Sequence, residues 1–460
     1  MDKASIILMT LIGYKLVLVG FGLWAQKRTQ SSADFFIGGK RLGPWVAAIS
    51  ASASASSAWS LLGMSSAAYL MGLSAIWLFP SVILGYIFNW LWLAPRLRRA
   101  ANKQRAITLT EFVAGHGRGS FAIKLMASVT IIFSFSFYIA AQFQGAGTSF
   151  ASSFGINGDS AIILGAIIIL LYTLLGGFWA VSLTDTLQGL LMAVVAFMLP
   201  FAALASVGVN ELYWHIVYDS GGLAGSHSGI YAVAFVIGLF GIGWGNLGQP
   251  HVLNRFMAIK DKKSMSQAKL IGILWPTIVF GGMLILGWCG RLLLPGIEDS
   301  EKLLFQITEL LFHPVVAGII IAAVLSAVMS TADSQLLVAA ASFAHDLGML
   351  KGHNSLLFSR LTLVVMCLIS GLIALYAPQD IFSRVLFAWN ALGSAFGPLI
   401  LVLLLGYQVS YRARFSAISC GFGLTVVFSL MDNTPGDWLE RIIPFLCALL
   451  IVIAGSNKLK

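Results

Sequence analysis

One stretch of small, hydroxylated residues interrupts an otherwise apolar segment near the start of the chain. Residues 50–60 read Ser-Ala-Ser-Ala-Ser-Ala-Ser-Ser-Ala-Trp-Ser. Small residues let a second helix or a ligand approach the backbone closely. In hydrocarbon, a broken helix survives only where protein or a water-filled cavity surrounds its freed polar groups. The stretch therefore indicates either a tight contact between helices or a discontinuous helix at a site for a solute and an ion.

A second polar stretch, residues 326–335, follows a long apolar run. Four of its members recur at three- and four-residue spacing, so a helix would place them on one face: Ser326, Ser330, Asp333 and Ser334. Thr331 lies beside that face. Hydroxyl and carboxylate oxygens are the ligands that hard cations prefer. The pattern favours a cation site such as one for Na⁺, and the alternative is the polar end of a helix near the membrane surface.

A third interruption, residues 241–250, reads Gly-Ile-Gly-Trp-Gly-Asn-Leu-Gly-Gln-Pro. Glycine and proline free backbone groups that can then bind a solute. The side chains of Trp244 and Asn246 add a ring and an amide, and the amide offers both a donor and an acceptor. The alternative interpretation is a helix kink without a ligand.

A few charged residues lie inside apolar segments, where an ionisable group is a functional hypothesis by default. Asp185 follows the Gly176-Gly177 pair, and Asp333 lies in the second polar stretch. Lys15 in the first apolar segment is expected to reach the interface with its flexible stem. Arg384 lies near the end of its segment.

The composition predicts an all-α polytopic membrane protein. The chain has 460 residues, 58% of them hydrophobic and 10% charged, whereas soluble domains carry roughly 25% charged residues. Neither the four cysteines nor the seven histidines show metal-ligand spacing, so no metalloenzyme is predicted. A membrane enzyme is therefore not expected.

Segments of about 20 apolar residues predict about thirteen transmembrane helices. Their approximate limits are 4–25, 44–70, 73–95, 122–150, 160–180, 185–207, 229–250, 269–294, 306–336, 355–376, 380–405, 414–431 and 440–456. Alternate loops are basic and acidic, and Arg255 is counted with a basic loop. Basic loops lie in the cytoplasm. This places the N-terminus outside and the C-terminus in the cytoplasm of a multi-pass protein of the cell inner (plasma) membrane. The same alternation argues against nucleic-acid binding.

The first and third interruptions lie in the second and seventh predicted spans. Two broken helices in corresponding halves point to the binding site of an inverted-repeat transporter. The separation predicts two five-helix repeats, with one helix before them and two after. The predicted units are a first helix and linker (1–43), a first repeat (44–207), an outer loop with the second repeat (208–405) and two C-terminal helices (406–460).

The chain resembles the sodium:solute symporter family, and within it the sodium/proline symporter branch. The resemblance is carried by stretches between about residues 34 and 400, which begin as follows: Asp34-Phe-Phe-Ile-Gly-Gly, Leu175-Gly-Gly-Phe-Trp, Gly248-Gln-Pro-His, Leu325-Ser-Ala-Val-Met-Ser-Thr and Phe387-Ala-Trp-Asn. It implies a LeuT-type 5+5 inverted-repeat core that works by alternating access driven by Na⁺. The implied partners are the lipid bilayer and a small organic solute, with an amino acid such as proline expected.

Residue by residue, the resemblance implies three sets of site residues. The Na⁺ site would use Ala53, Ser56, Ala327, Ser330 and Thr331. A second cation or proton site would use Asp185, Asp333 and Ser334. The solute site would use Ser52, Ser57, Trp59, Tyr138, Trp244, Asn246 and Trp389.

Two positions depart from the proline branch. Ala55 stands where that branch carries an Asp that matters for Na⁺ coupling, so weaker Na⁺ binding or coupling to H⁺ is an alternative. Asn246 stands where the branch has an aromatic residue, which favours a more polar solute. A transporter-like solute sensor is the remaining alternative.

Overall fold

The computed structural model describes residues 3–26, 40–117, 119–175, 178–218, 221–343, 355–377, 380–432 and 434–458. Two features of the sequence lie outside these residues. They are the Gly176-Gly177 pair and the start of the motif at Asp34, through Gly39.

The described residues are almost entirely helical. In chain order the helices are α1 (Lys3–Gln26), α2 (Pro44–Ala58), α3 (Met64–Met71), α4 (Leu78–Phe88), α5 (Ala94–Gln104), α6 (Leu109–Ala114), α7 (Ser120–Phe154), α8 (Gly158–Leu175), α9 (Phe178–Val207), α10 (Val209–Val217), α11 (Gly229–Gly245), α12 (Pro250–Ala258), α13 (Lys262–Leu293), α14 (Leu303–Leu311), α15 (Pro314–Ala341), α16 (Ser355–Tyr376), α17 (Ile381–Leu404), α18 (Tyr411–Ser429) and α19 (Trp438–Ala454). Single π-helical turns at Trp59–Gly63 and Asn89–Leu93 join neighbouring helices, as do short 3₁₀ turns. Strands β1 (Tyr407–Val409) and β2 (Ser456–Lys458) form an antiparallel pair.

A helix lies at every predicted span, but the count of thirteen stays a prediction. Seven stretches of the described residues are long and apolar enough to cross a membrane, and one of them, Pro44–Gln104, covers two predicted spans. Three shorter apolar helices accompany them. Three predicted limits were wrong: α9 begins at Phe178 rather than at 185, α13 begins at Lys262 rather than at 269, and residues 306–336 are divided between α14 and α15.

Helix α15 lies at the centre of the bundle and packs against α1, α2, α7 and α9. In the most apolar stretch of α15, 83% is buried inside the protein, whereas the buried share of the corresponding stretch of α9 is 33%. The polar stretch 326–335 lies within this helix, which continues to Ala341, so it is not the polar end of a helix. A helix that is buried all round needs no amphipathic pattern, and every residue from Ile320 to Ala341 is buried.

The break in α2 is confirmed. Ser57 has φ 58° and ψ −177°, a strained conformation for a residue with a side chain, and a π-helical turn follows. The amide of Ala58 donates to Gln142 Oε1 of α7 at 2.9 Å, and the amide of Trp59 donates to Ser57 Oγ at 3.1 Å. Side chains thus accept the hydrogen bonds that the helix gives up.

The break after α11 is also confirmed. A 3₁₀ turn, Asn246–Gly248, and the extended residue Gln249 separate α11 from α12. Gln249 Nε2 donates to the carbonyls of Gly245 at 2.8 Å and Trp389 at 3.0 Å. A Cβ on Gly245 would lie 2.1 Å from the Trp389 ring, so only glycine permits this approach of α17.

Both ends of the bundle are tied by contacts between loops and helices. We call the end that carries Arg98 and Lys260 the basic end. There the amide of Leu42 donates to the carbonyl of Ala258 at 3.2 Å, and Arg98 Nε donates to the carbonyl of Ile259 at 2.6 Å. These bonds fasten the segment before α2 and the start of α5 to the end of α12.

The opposite end, which carries Glu301 and Asp437, is the acidic end. The Glu301 carboxylate accepts a hydrogen bond from the amide of Ile381, the first residue of α17, and another from Gln144 Nε2 at 3.4 Å. Arg384 in turn donates to Gln144 Oε1 at 3.1 Å. One carboxylate therefore joins the 3₁₀ turn Ser300–Lys302 to α7 and α17.

Removal of the Gln142 acceptor should destabilise the protein. Gln142→Leu leaves the amide of Ala58 without this partner in an apolar surrounding, which costs about 1–3 kcal/mol. The measurement is the thermal unfolding midpoint of purified protein in detergent. Gln408→Leu, at an exposed position of β1, is the matched control. Equal midpoints for the two variants would contradict this role of Gln142.

The Glu301 network should make stability depend on pH. Burial raises the pKa of the Glu301 carboxyl from 4.5 to about 7, and the charges of Asp380 and Asp299 act in the same direction, whereas the bond from Ile381 and the charge of Arg384 lower it. Because the folded pKa is the higher one, the contribution to stability is complete below pH 4.5. It is lost as the pH rises through about 7.

Wild type should therefore lose up to roughly 3 kcal/mol of stability relative to Glu301→Gln between pH 4.5 and pH 8. Unfolding measured across this range for both proteins gives the difference. Glu298→Gln, an exposed position in the same loop, is the control and should leave the profile of the wild type unchanged. A Glu301→Gln profile parallel to that of the wild type would show that this carboxylate does not titrate as described.

Candidate functional site

Helices α2 and α15 meet through hydroxyls and main-chain carbonyls. Ser330 Oγ lies 3.2 Å from the carbonyl oxygen of Ala53 and 3.2 Å from that of Ala327. Thr331 Oγ1 donates to the carbonyl of Ser54 at 3.0 Å. The structure thus brings together three of the residues predicted for the Na⁺ site, with Thr331 next to them.

The fifth predicted ligand, Ser56, is fully buried on the same helix just before the break. Its carbonyl accepts the amide hydrogen of Trp59. The oxygens in this region are uncharged hydroxyls and carbonyls, which suit a small hard cation. The residues present therefore fit Na⁺ as a transported ion.

A buried ion pair lies directly beside this contact, and Ser54 Oγ donates to its carboxylate, Asp185 Oδ2, at 3.2 Å. Arg255 NH2 lies 2.7 Å from Asp185 Oδ2, and the two side chains are 1% and 0% exposed. Arg255 also donates to Ser50 Oγ at 2.6 Å and Ser334 Oγ at 2.5 Å. The pair therefore joins α2, α9, α12 and α15. Counting Arg255 with a basic loop was wrong, because its side chain is buried within the bundle.

Asp333 does not share a contact surface with Ser330 and Ser334. Its carboxylate accepts a hydrogen bond from Thr173 Oγ1 of α8. On the same side of α15, Lys15 of α1 contacts Met329, and Ser326 bonds to Tyr14 at 2.5 Å. The four polar residues therefore bond to different neighbouring helices, and a single functional face formed by them stays a prediction. Over two turns, a helix that is buried all round presents its residues to different neighbours.

The three residues predicted for a second cation site are therefore divided. Asp185 and Ser334 lie together with Arg255, whose guanidinium already provides the positive charge beside the carboxylate. Asp333 instead bonds to Thr173 of α8.

An enclosed central cavity lies beside the break in α2. It has a volume of about 10 Å³, which is room for about one water molecule. The lining residues come from five helical segments and are Ala55, Trp59, Val82, Tyr86, Ile242, Asn246, Phe280, Val385, Leu386 and Trp389. The wall is therefore aromatic and aliphatic, with few polar groups.

The polar groups of this wall are largely available to a ligand. Within the described part of the chain, Trp59 Nε1 and both side-chain polar atoms of Asn246 have no hydrogen-bond partner. Such buried groups carry a desolvation cost that a bound polar ligand would remove. Trp389 Nε1, by contrast, donates to the carbonyl of Ile242 at 3.0 Å.

The residues predicted for the solute site fall into three groups. Trp59, Asn246 and Trp389 line the central cavity. Tyr138 packs 6.4 Å from Trp389 between ring centres, and its hydroxyl lies 3.4 Å from Ser57 Oγ at the break. The remaining two are set apart from the cavity wall.

Ser52 is fully buried on α2 but does not line the cavity. Trp244 is 38% exposed and packs against Phe445, with ring centres 5.0 Å apart. The structure thus places Trp244 outside this cavity.

Tyr86 and Phe280 also line the cavity and were not predicted from the sequence. Phe280 packs against both Trp59 and Tyr86, at 5.1 and 6.3 Å between ring centres. A tyrosine inside an apolar span is a weak signal. A phenylalanine there carries no signal, since any lipid-facing or packed helix contains such residues.

Comparison with known proteins identifies relatives along almost the whole chain. The sequence profile of the Sodium:solute symporter family matches residues 35–420. A protein named sodium/proline symporter from Staphylococcus aureus (strain JH9) is 32% identical over an alignment of 476 residues, covering 96% of this chain and 92% of the relative. The protein of the same name from strain USA300 matches equally well.

Solved structures share the fold at low sequence identity. The chain superimposes on a substrate-bound, outward-open Na⁺-coupled sialic acid symporter with a TM-score of 0.80, 18% identity and full coverage of both chains. MhsT in complex with L-phenylalanine gives a TM-score of 0.58 at 16% identity, covering 90% of this chain and 99% of that one.

These findings agree with the broken helices and the oxygen-rich contact between α2 and α15. At these identities the two solved structures show a shared fold. The chain belongs to the sodium:solute symporter family, whose members are multi-pass transporters that use Na⁺ as the coupling ion and are not enzymes.

Proposed function

We propose that the chain carries a small amino acid such as proline across the plasma membrane together with Na⁺, by alternating access. The observation that carries this proposal is that one short piece of α2 belongs to two sites. Ala53 contributes a carbonyl at the Ser330 hydroxyl. Ala55 and Trp59, up to six residues later, line the central cavity. An ion bound at the first position would therefore fix the wall of the second.

The proposed Na⁺ ligands are the carbonyls of Ala53, Ser56 and Ala327 and the hydroxyls of Ser330 and Thr331. With Ala55 in α2 and Asp185 paired to Arg255, no unpaired carboxylate is described at this contact. Binding then depends on oxygen dipoles and on the positions that the helix break imposes. We expect modest Na⁺ affinity for this reason.

The cavity indicates the class of solute. Among the described residues that line it none is charged, and its aromatic wall suits an aliphatic or cyclic side chain. The amide of Asn246 and the indole N–H of Trp59 would bind the polar atoms of the solute. The relatives named sodium/proline symporter support an amino acid.

The proposed orientation follows the charge of the loops, with the basic end in the cytoplasm and the N-terminus outside. The two proposed repeats, 44–207 and 208–405, would move relative to each other about the two breaks. Residues 1–43 and 406–460 would flank them. The predicted second site loses support as a cation site, since Arg255 occupies the side of Asp185 that faces Ser334.

A panel of solutes tests the function. Purified protein in proteoliposomes should take up labelled L-proline or another small amino acid when an inward Na⁺ gradient is imposed. Each solute is also tested with an inward H⁺ gradient alone and without a gradient, and protein-free liposomes are the control. Uptake that needs no Na⁺ gradient would overturn the proposed coupling, and uptake restricted to solutes without a carboxylate would overturn the proposed class.

The proposed ligands should control Na⁺ dependence. Ser330→Ala and Thr331→Ala each remove one oxygen, and the loss of a bond to a charged group should raise the Na⁺ concentration for half-maximal uptake roughly tenfold. Ser326→Ala is the matched control, since Ser326 lies on the same helix but bonds to Tyr14. If all three variants show the Na⁺ dependence of the wild type, the ion does not bind between α2 and α15.

A further inference from the structure

A second cavity lies at the acidic end, on the side of α17 away from the α2 break. It has a volume of about 240 Å³ and lies between α7, α17, α18 and α19. We call it the peripheral cavity. Its volume is below the roughly 300–1,000 Å³ of sites for drug-sized ligands, so it is suited to a small ligand. Leu386 borders both this cavity and the central one.

One wall of the peripheral cavity is charged, and it comes from the start of α19. Arg441 is 5% exposed, and its NH2 group lies 2.7 Å from Asp437 Oδ2. Glu440 Oε1 accepts a hydrogen bond from Asn390 Nδ2 at 3.1 Å. Two carboxylates thus face one guanidinium.

Only one nitrogen of the Arg441 guanidinium forms a hydrogen bond among the described residues. Among the residues that the structure describes, Arg441 Nε and NH1 have no hydrogen-bond partner although both atoms are buried. A buried cationic donor without an acceptor is costly, and native structures normally provide a partner for it. Arg441 also lines the cavity, so an anionic group bound there would supply the missing acceptor.

The opposite wall is aromatic. Phe137 lies 5.1 Å from Phe133 and 5.4 Å from Phe387 between ring centres, and all three line the cavity. The face of an aromatic ring attracts an ammonium group. Asp437 is paired with Arg441, so the second carboxylate of the charged wall, that of Glu440, also attracts an ammonium group.

We propose that the peripheral cavity binds a small zwitterion, with its anionic group on Arg441 and its ammonium group between Glu440 and the phenylalanine rings. A free amino acid or betaine has this chemistry, and so does a phosphoethanolamine headgroup. The proposal does not depend on which solute the central cavity takes. It assigns a second binding site to the two C-terminal helices and their contact with the core.

Helix α17 connects the two cavities. Asn390, which holds Glu440, follows Trp389 of the central cavity directly in sequence. Leu386 lies one turn earlier and borders both. A ligand on Glu440 and Arg441 would therefore act on the wall of the central cavity through one helix.

The test is equilibrium binding to full-length protein in nanodiscs, in potassium buffer without Na⁺. The free probes are labelled glycine, L-proline and glycine betaine, with acetate and methylamine as singly charged controls. We expect about one zwitterion per chain and at least tenfold weaker binding of both controls. Arg441→Gln should weaken zwitterion binding at least tenfold, and Arg441→Lys should restore part of it. Lys302→Gln, at the acidic end but outside the cavity, is the matched control.

A second arm distinguishes the source of the zwitterion. Nanodiscs with or without phosphatidylethanolamine, in a background of phosphatidylglycerol, are compared by native mass spectrometry. If wild type retains one phosphatidylethanolamine and Arg441→Gln does not, the headgroup is the ligand. If wild type retains no phosphatidylethanolamine but binds a free probe, the ligand is the free zwitterion.

If Arg441→Gln does not yield folded protein, Glu440→Gln and Phe137→Leu test the ammonium side of the same cavity and should also weaken binding. The proposal is overturned if neither a free probe nor the headgroup binds, if acetate or methylamine binds as tightly, or if folded cavity variants bind like the wild type.

Discussion

A backbone amide or carbonyl that leaves a helix inside a membrane must find a partner in the protein, because hydrocarbon offers none. The site of this chain depends on how that requirement is met at two breaks. At the first, Gln142 of α7 and the hydroxyl of Ser57 accept the freed amides. At the second, the side chain of Gln249 donates to two carbonyls, one of them from α17. Gln142 and the carbonyl of Trp389 belong to other helices, so each break also fixes the position of a neighbouring helix.

The same requirement explains how charge is distributed. The buried carboxylate nearest the α2–α15 contact is neutralised by Arg255, which also bonds to two serines of the helices it joins. Removing one partner of such a pair would leave an uncompensated buried charge, which is strongly destabilising. Oxygens without formal charge remain at Ser330 and Ala53. A neutral, oxygen-rich contact thus lies directly against a neutralised acid, and Ser54 bonds to both.

The two breaks were predictable because composition marks them: small and hydroxylated residues are rare in a span without a packing or binding role. The residues around Ser330 followed from the resemblance and from their spacing. Arg255 was not predictable in its buried place, since a basic residue a few positions before Lys260 and Lys262 is typical of a loop. The contact of Asp333 with α8 was equally unpredictable, because a helix that is buried on all sides has no polar face that indicates which neighbour each residue contacts. Glu301 lies in a loop whose burial depends wholly on the packing of α7 and α17.

The ties at the two ends of the bundle differ in chemical kind. At the basic end, main-chain hydrogen bonds hold α12 to the segment before α2, and the guanidinium of Arg98 holds the end of α12 to α5. At the acidic end, a carboxyl with a pKa of about 7 joins the loop before α14 to α17. Protonation of this carboxyl therefore stabilises the closure at the acidic end. In a carrier that opens its two sides alternately, a tie that acid strengthens at one end would slow the opening of that end. The pH of the compartment at that end would then determine which side of the carrier is closed at rest.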